Sequence, residues 1–288
     1  MRELKILGVV IFFTALVYIG VEPFAHSQMH PKVAPADFMF KDLKTNNKIG
    51  NAAKGAENFM NAGCIGCHGL KSQGMPNPMD DATASASFGV ISPDLSSAGL
   101  IYESNFLMAL IKDPTKALKV EHKFNESKFH PMTKFYGLGG DIDQEIADIV
   151  AYLKSIAPKS LTNSEVFEDA CQRCHDMKYA NQFSKSDFTL LTKYMGSTAP
   201  DLSMMIRSKG KGYLETFIND PQKQLEGTGM PRVGLTKDAQ AQVIAFIETT
   251  GDRKKAERES LGPKVIGFMF IFTILAYLWK IKIWRELD

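Results

Sequence analysis

The sequence predicts an all-α fold of two tandem domains, with one apolar helix at each end of the chain. Three observations support this prediction. A segment recurs at a constant offset of 107 residues, each copy ends in a helical pattern of apolar residues, and two uncharged apolar runs bracket the copies. Neither copy shows the alternation of apolar and polar residues that is typical of strands. The length of 288 residues accommodates two domains of ordinary size as well as these helices.

The first element is the uncharged run from Ile6 to Val21, which follows two basic residues within the first five positions. Such a run is typical of a signal peptide or of an uncleaved membrane anchor, so residues 1–25 are assigned to one of the two. Ala25-His26-Ser27 is a passable small-x-small cleavage site, whereas Glu22-Pro23 is equally suited to end a retained helix. Both alternatives stay open.

Each copy of the repeat contains one cluster of two cysteines and a histidine, Cys64-Ile65-Gly66-Cys67-His68 and Cys171-Gln172-Arg173-Cys174-His175. Both match C-x-x-C-H, the pattern of covalent haem attachment. Two thiols at this spacing each form a thioether to one porphyrin, and the adjacent histidine is then placed beneath the iron as its ligand. The pattern therefore predicts two covalently attached haem c groups, held by the four cysteines, with His68 and His175 as iron ligands.

A zinc site and a redox-active dithiol are the competing interpretations of these clusters. Zinc sites combine cysteine or histidine pairs at finger or ribbon spacing, but these clusters are 107 residues apart and each is followed directly by histidine. A thioredoxin-like dithiol requires a strand-to-helix context and no histidine after its second cysteine. The haem interpretation is favoured. All four cysteines lie in the clusters, so none remains for a separate disulfide framework.

The repeat extends beyond the cysteines and indicates domains at residues 48–158 and 160–252. Ser92-Pro93-Asp94-Leu95-Ser96 matches Ala199-Pro200-Asp201-Leu202-Ser203 at the offset of 107. A rigid loop at Pro93 and Pro200 is suited to offer a carbonyl to the second ring nitrogen of the haem histidine. Ordinary loop prolines are the alternative.

A methionine before the last helix of each copy is the expected sixth iron ligand. Met132 and Met230 match at an offset of 98, because the first copy carries nine extra residues before its methionine. A thioether ligand raises the reduction potential and keeps the coordination sphere closed. We predict Met230 for the second haem and Met132 for the first, where His130 and His122 are alternatives. A core methionine that fills a gap is the other interpretation of both.

Each copy then ends in a predicted helix. In the first copy, apolar residues recur at spacings of three and four after an expected cap pair, Asp141 and Gln144. The second copy repeats this pattern after Thr236. The apolar positions are Ile142, Ile146, Ile149, Val150 and Leu153 in the first copy, and Val243, Ile244 and Ile247 in the second.

The last element is the uncharged run from Val265 to Trp279, which predicts a transmembrane helix over residues 262–284. Lysines beyond Trp279 can snorkel, and Trp284 suits the membrane interface. A buried core helix is the alternative, but such a helix normally has a polar face. Basic residues near both chain ends place the ends inside, and residues of about 25 to 260 outside, in the periplasm. The net charge of +2, with interspersed signs, argues against nucleic-acid binding.

From about Val166 onward, the second copy resembles cytochrome c1, the haem subunit of bc1-type quinol:cytochrome c reductases. The resemblance implies that Arg207 pairs with a haem propionate, that Met230 is the axial ligand, and that the last helix docks beside cytochrome b. The first copy resembles a generic class I cytochrome c domain. This is a departure from ordinary cytochrome c1, which has one haem, but two-haem subunits of some bacterial bc complexes are similar. The residues that carry the likeness are Cys171 to His175, Tyr179, Ala199 to Ser203, Arg207 and Gly229-Met230-Pro231.

Together these features predict an electron-transfer subunit of the bacterial inner (cytoplasmic) membrane, without a catalytic site of its own. By resemblance, electrons would pass from the Rieske iron-sulfur protein through both haems to a soluble periplasmic cytochrome c, with a cytochrome b subunit as a further partner. Alternatives are the two-haem subunit of a cbb3-type oxidase, a free-standing membrane shuttle, or a di-haem peroxidase. A peroxidase would need an open haem position with acid-base groups beside it.

Overall fold

The computed structural model describes residues 2–29, 33–125 and 127–287. Over these ranges the chain forms helices and irregular segments with isolated β-bridges, and no β-sheet. The fifteen α-helices are α1 (Arg2–Ala15), α2 (Glu22–Met29), α3 (Ala52–Asn61), α4 (Asp81–Phe88), α5 (Ala98–Ile101), α6 (Ser104–Lys112), α7 (Pro114–Ala117), α8 (Ile142–Ile156), α9 (Asn163–Ala170), α10 (Phe188–Met195), α11 (Met205–Lys209), α12 (Lys211–Asn219), α13 (Pro221–Gln224), α14 (Lys237–Gly251) and α15 (Lys255–Leu287). A π-helical turn covers Leu16–Val21, and 3-10 turns cover Cys64–Gly66, Lys71–Gln73, Glu121–Lys123 and Lys178–Ala180.

The N-terminal helix is longer than the apolar run. α1, the π-helical turn and α2 are contiguous, so the helix continues through Pro23, and the helix end suggested by Glu22-Pro23 is wrong. The wide turn just before Pro23 accommodates a residue that lacks an N–H and crowds the preceding turn. Within Leu4–Gln28, an 18-residue window has a mean hydropathy of 2.4, and none of that window is buried against the rest of the chain. A membrane span and a signal sequence share this character. Met1 lies outside the described residues.

The core of the first domain lies where α3 crosses α8. Gly55 of α3 approaches α8 so closely that a Cβ atom on it would lie 1.9 Å from the carbonyl oxygen of Asp148. Phe59, Ile149 and Leu153 are buried beside this crossing. Since only glycine lacks a Cβ, Gly55 allows α3 to pack directly on the backbone of α8.

The start of α8 differs in part from the prediction. Asp141 caps the helix by accepting hydrogen bonds from the amides of Asp143 and Gln144. The side chain of Gln144 does not complete the predicted cap pair. It donates instead to the carbonyl of Ile49 at 2.8 Å and to Asp148 at 2.9 Å, because residues 33–50 pass across this end of α8.

The second domain repeats the crossing with α9 and α14, but without the glycine. Thr162, which matches Gly55 in the repeat, is the N-cap of α9 and forms a reciprocal capping box with Glu165. Thr236 caps α14 as predicted, by accepting from the amide of Ala239. The core between the two helices contains Val166, Phe167, Val243, Ile244 and Ile247.

Backbone hydrogen bonds join the two domains. The Glu103 amide donates to the Gly234 carbonyl, and the Thr236 amide donates to the Ile101 carbonyl, both at 2.9 Å. Gly234 has a φ of +79° and lies on the ring of Phe106, where a Cβ atom would overlap the ring carbons. The segment that leads into α14 therefore pairs with the segment that leads into α6.

Residues 33–50, here called the strap, cross both domains before α3 begins. The Asp37 amide donates to Asn219 Oδ1 at 2.9 Å, and Asn219 Nδ2 donates to the Asp37 carbonyl at 3.3 Å. Phe40 and Leu43 are buried against Phe106 of the first domain. Nothing in the sequence of the strap predicted this, because it has neither a repeat nor a periodic apolar pattern.

The C-terminal helix α15 runs from Lys255 to Leu287 and contains the predicted span, residues 262–284. Its charged first part is helical and continuous with the apolar run. Within Lys255–Arg285, an 18-residue window has a mean hydropathy of 1.8, and none of that window is buried against the rest of the chain. By length and composition, this helix is suited to cross a membrane. Arg258 in its first turns donates twice to Asp252, at 2.7 Å each, which ties the helix to the end of α14.

Candidate haem sites

Each C-x-x-C-H motif forms the same turn directly after a helix. In the first domain the His68 amide donates to the Cys64 carbonyl, and in the second the His175 amide donates to the Cys171 carbonyl, both at 3.0 Å. This contact between residues four apart keeps both cysteines and the histidine of a motif within one turn. A single porphyrin can therefore be reached by all three side chains.

The ring of each motif histidine is oriented by a proline carbonyl. His68 Nδ1 lies 2.9 Å from the Pro93 oxygen, and His175 Nδ1 lies 2.8 Å from the Pro200 oxygen. This is the contact expected from the matched prolines. With the proton on Nδ1 donated to the carbonyl, Nε2 keeps its lone pair for iron. Burial lowers the pKa of both histidines, which favours the neutral imidazole that a metal requires.

Matched hydrogen bonds hold these proline carbonyls in place. In the second copy, the Leu202 amide donates to the Asp176 carbonyl at 2.9 Å, and the Tyr179 amide donates to Ser203 Oγ at 3.1 Å. The first copy has the same two contacts at the matching positions, at 2.8 and 3.0 Å. The recurrence of Pro-Asp-Leu-Ser is thereby explained, because this segment fixes the histidine through the proline before it.

The second motif is more buried than the first. His175 is 9% exposed, whereas Cys67 is an exposed residue. Burial raises the pKa of Cys171 to about 12 and also raises the pKa of Cys174 and of Cys64. A redox-active dithiol needs a lowered thiol pKa, so these surroundings disfavour that interpretation.

The predicted methionine ligands both lie in irregular segments before the last helix of their domain. Met132 and Met230 are half-buried. The Met230 amide donates to Thr228 Oγ1 at 3.4 Å, and Gly229 packs so tightly that a Cβ atom on it would lie 2.1 Å from the Ser197 hydroxyl. Ligation of iron by either methionine stays a prediction.

The two alternative ligands of the first haem differ in their surroundings. His122 is exposed on a short helical turn. His130 is half-buried, with its ring edge-on to Phe124 at 4.9 Å between ring centroids. Its Nδ1 lies 3.2 Å from the Met132 amide nitrogen and 3.0 Å from the Met132 carbonyl oxygen. The ring of His130 is thus tied to the backbone of the methionine that it would replace.

A family model described as Cytochrome c matches the chain twice, over residues 52–157 and 163–251. The chain belongs to the cytochrome c family. The predicted fold class is confirmed, since the described residues form two tandem helical cytochrome c domains with an apolar helix near each terminus. Electron transfer and covalently bound haem c follow from the family, and two domains indicate two haems. No curated protein and no solved structure matched the chain in the two other comparisons.

Arg207 of this cytochrome c is exposed, in a cleft of about 430 Å³ beside the start of α15. The cleft is also lined by Glu248, Asp252, Lys255 and Arg258. Hydrogen bonding by Arg258 holds the pKa of Asp252 below its usual value, and the charge of Arg207 adds to this effect. The pairing of Arg207 with a haem propionate stays a prediction.

Two arginines of the cytochrome with buried guanidinium nitrogens were not predicted as site residues. Arg232, two residues after Met230, is 1% exposed, and its Nε and Nη1 have no hydrogen-bond partner in the described chain. Arg173 lies within the second motif, and its Nε is likewise buried without a partner. Donors of this kind suit an anionic group such as a haem propionate, so the residues present fit haem c. A signal for Arg173 was available, because the first motif has Gly66 at the matching position.

Proposed function

We propose that this cytochrome c is the electron-transfer subunit of a bacterial bc1-type complex, a membrane quinol:cytochrome c oxidoreductase. The observation that carries the proposal is the direct continuation of the second cytochrome c domain into α15, with only three residues between Gly251 and Lys255. The second domain and this helix are the part of the chain that resembles cytochrome c1. The haem domains would then lie in the periplasm, and the apolar helix in the inner membrane.

The proposed partners follow from the same resemblance. A Rieske iron-sulfur protein would deliver electrons, a cytochrome b subunit would pack beside α15, and a soluble periplasmic cytochrome c would accept the electrons. The quinone site would belong to another subunit.

The residues of the chain support electron transfer by holding each site rigid. Haem iron, when bound, supplies a centre that takes up and releases one electron. Pro93 and Pro200 fix the ring orientation of the histidines beneath it, and the helix crossings bury each motif from one side. Met132 and Met230 would close the remaining positions, so that no ligand exchange accompanies a change of charge.

The testing experiment is purification of the chain from its native membrane in mild detergent, followed by addition of a quinol. We expect a b-type cytochrome and an iron-sulfur protein to copurify, and quinol to reduce both c-type haems in a reaction that quinol-site inhibitors block. A chain that arrives alone, and is not reduced by quinol, would contradict the proposal and favour a free-standing shuttle.

A second candidate is the two-haem subunit of a cbb3-type terminal oxidase, which the long apolar helix at Leu4–Gln28 favours. Subunits of that family are anchored at the N-terminus and usually end after the second haem domain. The same purification distinguishes the two, because an oxidase would bring an oxygen-consuming subunit with haem and copper and no Rieske protein.

A further inference from the structure

We propose that Arg173, a residue of the second haem motif, is a positioning residue of the first haem site and raises the reduction potential of the first haem. The inference rests on the proposed electron transfer through two haems, but not on the identity of the partner complex. It assigns to the second domain a direct influence on the chemistry of the first.

Ile91 of the first domain is held by residues of the second domain. Arg173 Nη1 donates to the Ile91 carbonyl at 3.3 Å, and the Ile91 amide donates to Ser186 Oγ at 3.2 Å. The Ser186 amide in turn donates to the Arg173 carbonyl at 3.3 Å. Both backbone polar groups of Ile91 are therefore held by the second domain. Ile91 lies two residues before Pro93, whose carbonyl orients His68.

The same side chain brings a positive charge to this contact. Arg173 Nε is buried and unpartnered, and Arg173 makes no ion pair with a carboxylate in the described part of the chain. Its guanidinium reaches the first domain at the Ile91 carbonyl, in the segment whose Pro93 carbonyl orients His68. A half-buried positive charge disfavours the more positive, oxidised state of a nearby iron, so it raises the reduction potential.

The repeat makes this influence one-sided. The first motif has Gly66 at the position of Arg173, and glycine has no side chain that could reach the second domain. We therefore expect the first haem to depend on the second motif, without an equivalent dependence in the other direction.

The test is a redox titration of the purified full chain in detergent, with four variants. Arg173→Gln removes the charge, and Arg173→Lys retains it. Ser186→Ala releases the Ile91 amide without a change of charge. Lys178→Gln is the matched control, because it removes one positive charge from an exposed residue of the same segment. The two midpoints are assigned to their domains by nuclear magnetic resonance of the haem methyl groups.

We expect Arg173→Gln to lower the first midpoint by about 59 mV, a tenfold change in the one-electron equilibrium constant. Arg173→Lys should recover most of this shift, Ser186→Ala should lower the same midpoint by less, and Lys178→Gln should leave it unchanged. A first midpoint that Arg173→Gln moves no further than Lys178→Gln does would overturn the proposal.

The Ser186→Ala variant keeps the proposal testable if Arg173→Gln does not attach its haems. A lower first midpoint in Ser186→Ala would then support the proposal, whereas a shift confined to the second haem would contradict it. The titration needs no partner protein, so failure to find a bc1-type complex leaves its result intact. Absence of covalent haem from the wild-type chain would instead defeat the proposed function.

Discussion

The two haem domains share the contacts that hold their histidines but differ in what surrounds them. The second site is more enclosed, with His175 buried and both of its cysteines half-buried. The first site has an exposed cysteine, and residues of the second domain contact the loop beside its histidine. The comparison shows that a duplication can preserve the ligand geometry while one copy comes to depend on the other for its environment.

The nine-residue insertion of the first copy also contacts the second domain. Lys123 Nζ donates to the Met195 carbonyl, and Lys128 Nζ donates to the Tyr194 carbonyl at 2.7 Å. The ring of Phe124 packs on Tyr194 at 5.6 Å between ring centroids. The segment that offered alternative iron ligands is therefore also part of the contact between the domains.

The largest expected effect comes from the sixth ligands. Met230→His should lower the second midpoint by a few hundred mV, within the span of about 0.8 V that axial ligands cover, with both haems still attached. Met132→Ala should open the first haem to carbon monoxide in the reduced protein. Redox titration and carbon monoxide spectra check these results. No change of either midpoint in Met230→His would remove Met230 as a ligand, and an unaltered spectrum of Met132→Ala would point to His130 or His122.

The next effect concerns the ion cluster around the buried Arg232 and Asp220, which joins the strap to both domains. Arg232 Nη2 lies 2.6 Å from Asp42 and 3.3 Å from Asp220, and Lys119 lies 2.5 Å from Asp220. Arg232→Met should lower the free energy of unfolding by about 3–5 kcal/mol, because it leaves carboxylates with one fewer partner in a buried site. Urea unfolding measures this. The control Lys48→Met, which breaks only an exposed ion pair of the strap, should leave the midpoint unchanged.

The helix crossings provide a smaller, paired test. Gly55→Ala should destabilise the first domain by about 1–3 kcal/mol or more, because the new Cβ meets backbone that cannot move aside. Thr162→Ala, at the matching position of the second domain, should cost about 1 kcal/mol through loss of the N-cap. Hydrogen exchange of amides in α3 and α9 separates the two domains. Equal effects would mean that the crossings are built alike.

The smallest effect is a pH dependence of the stability that Asp42, a residue of the strap, contributes. The pKa of Asp42 is lowered, since hydrogen bonding and charge from Arg232, with the charge of Lys119, outweigh burial. A carboxyl whose pKa is lower in the folded state stabilises that state above its unfolded pKa and loses this effect as pH falls through the folded value. The stability difference between the wild-type protein and Asp42→Asn should therefore shrink below about pH 4. A difference that is constant down to pH 2 would contradict this.

Local and repeated features were predictable from the sequence, whereas contacts between distant segments were not. The haem motifs, the proline carbonyls and the last helices follow from spacing within one copy. Phe40 illustrates the limit, because it adopts a φ of +47°, unusual for a bulky residue, and is buried against Phe106 and the guanidinium of Arg232. That conformation is stabilised by residues far along the chain, so no local sequence pattern predicts it. The difference between Arg173 and Gly66 in the repeat marks Arg173 as unusual, but its contact with Ile91 of the other domain could not be predicted from the sequence.

The strap and α15 also have a mechanical consequence. Only seven residues separate Met29, the end of α2, from Asp37, where the strap is fastened to Asn219. Because an extended chain spans no more than about 3.6 Å for each residue, this connection between α2 and the strap is short. If the helices at both ends lie in one membrane, the body between them is attached to that membrane at two points. A second attachment would restrict the tilt and rotation of the two domains relative to the membrane more than α15 alone would.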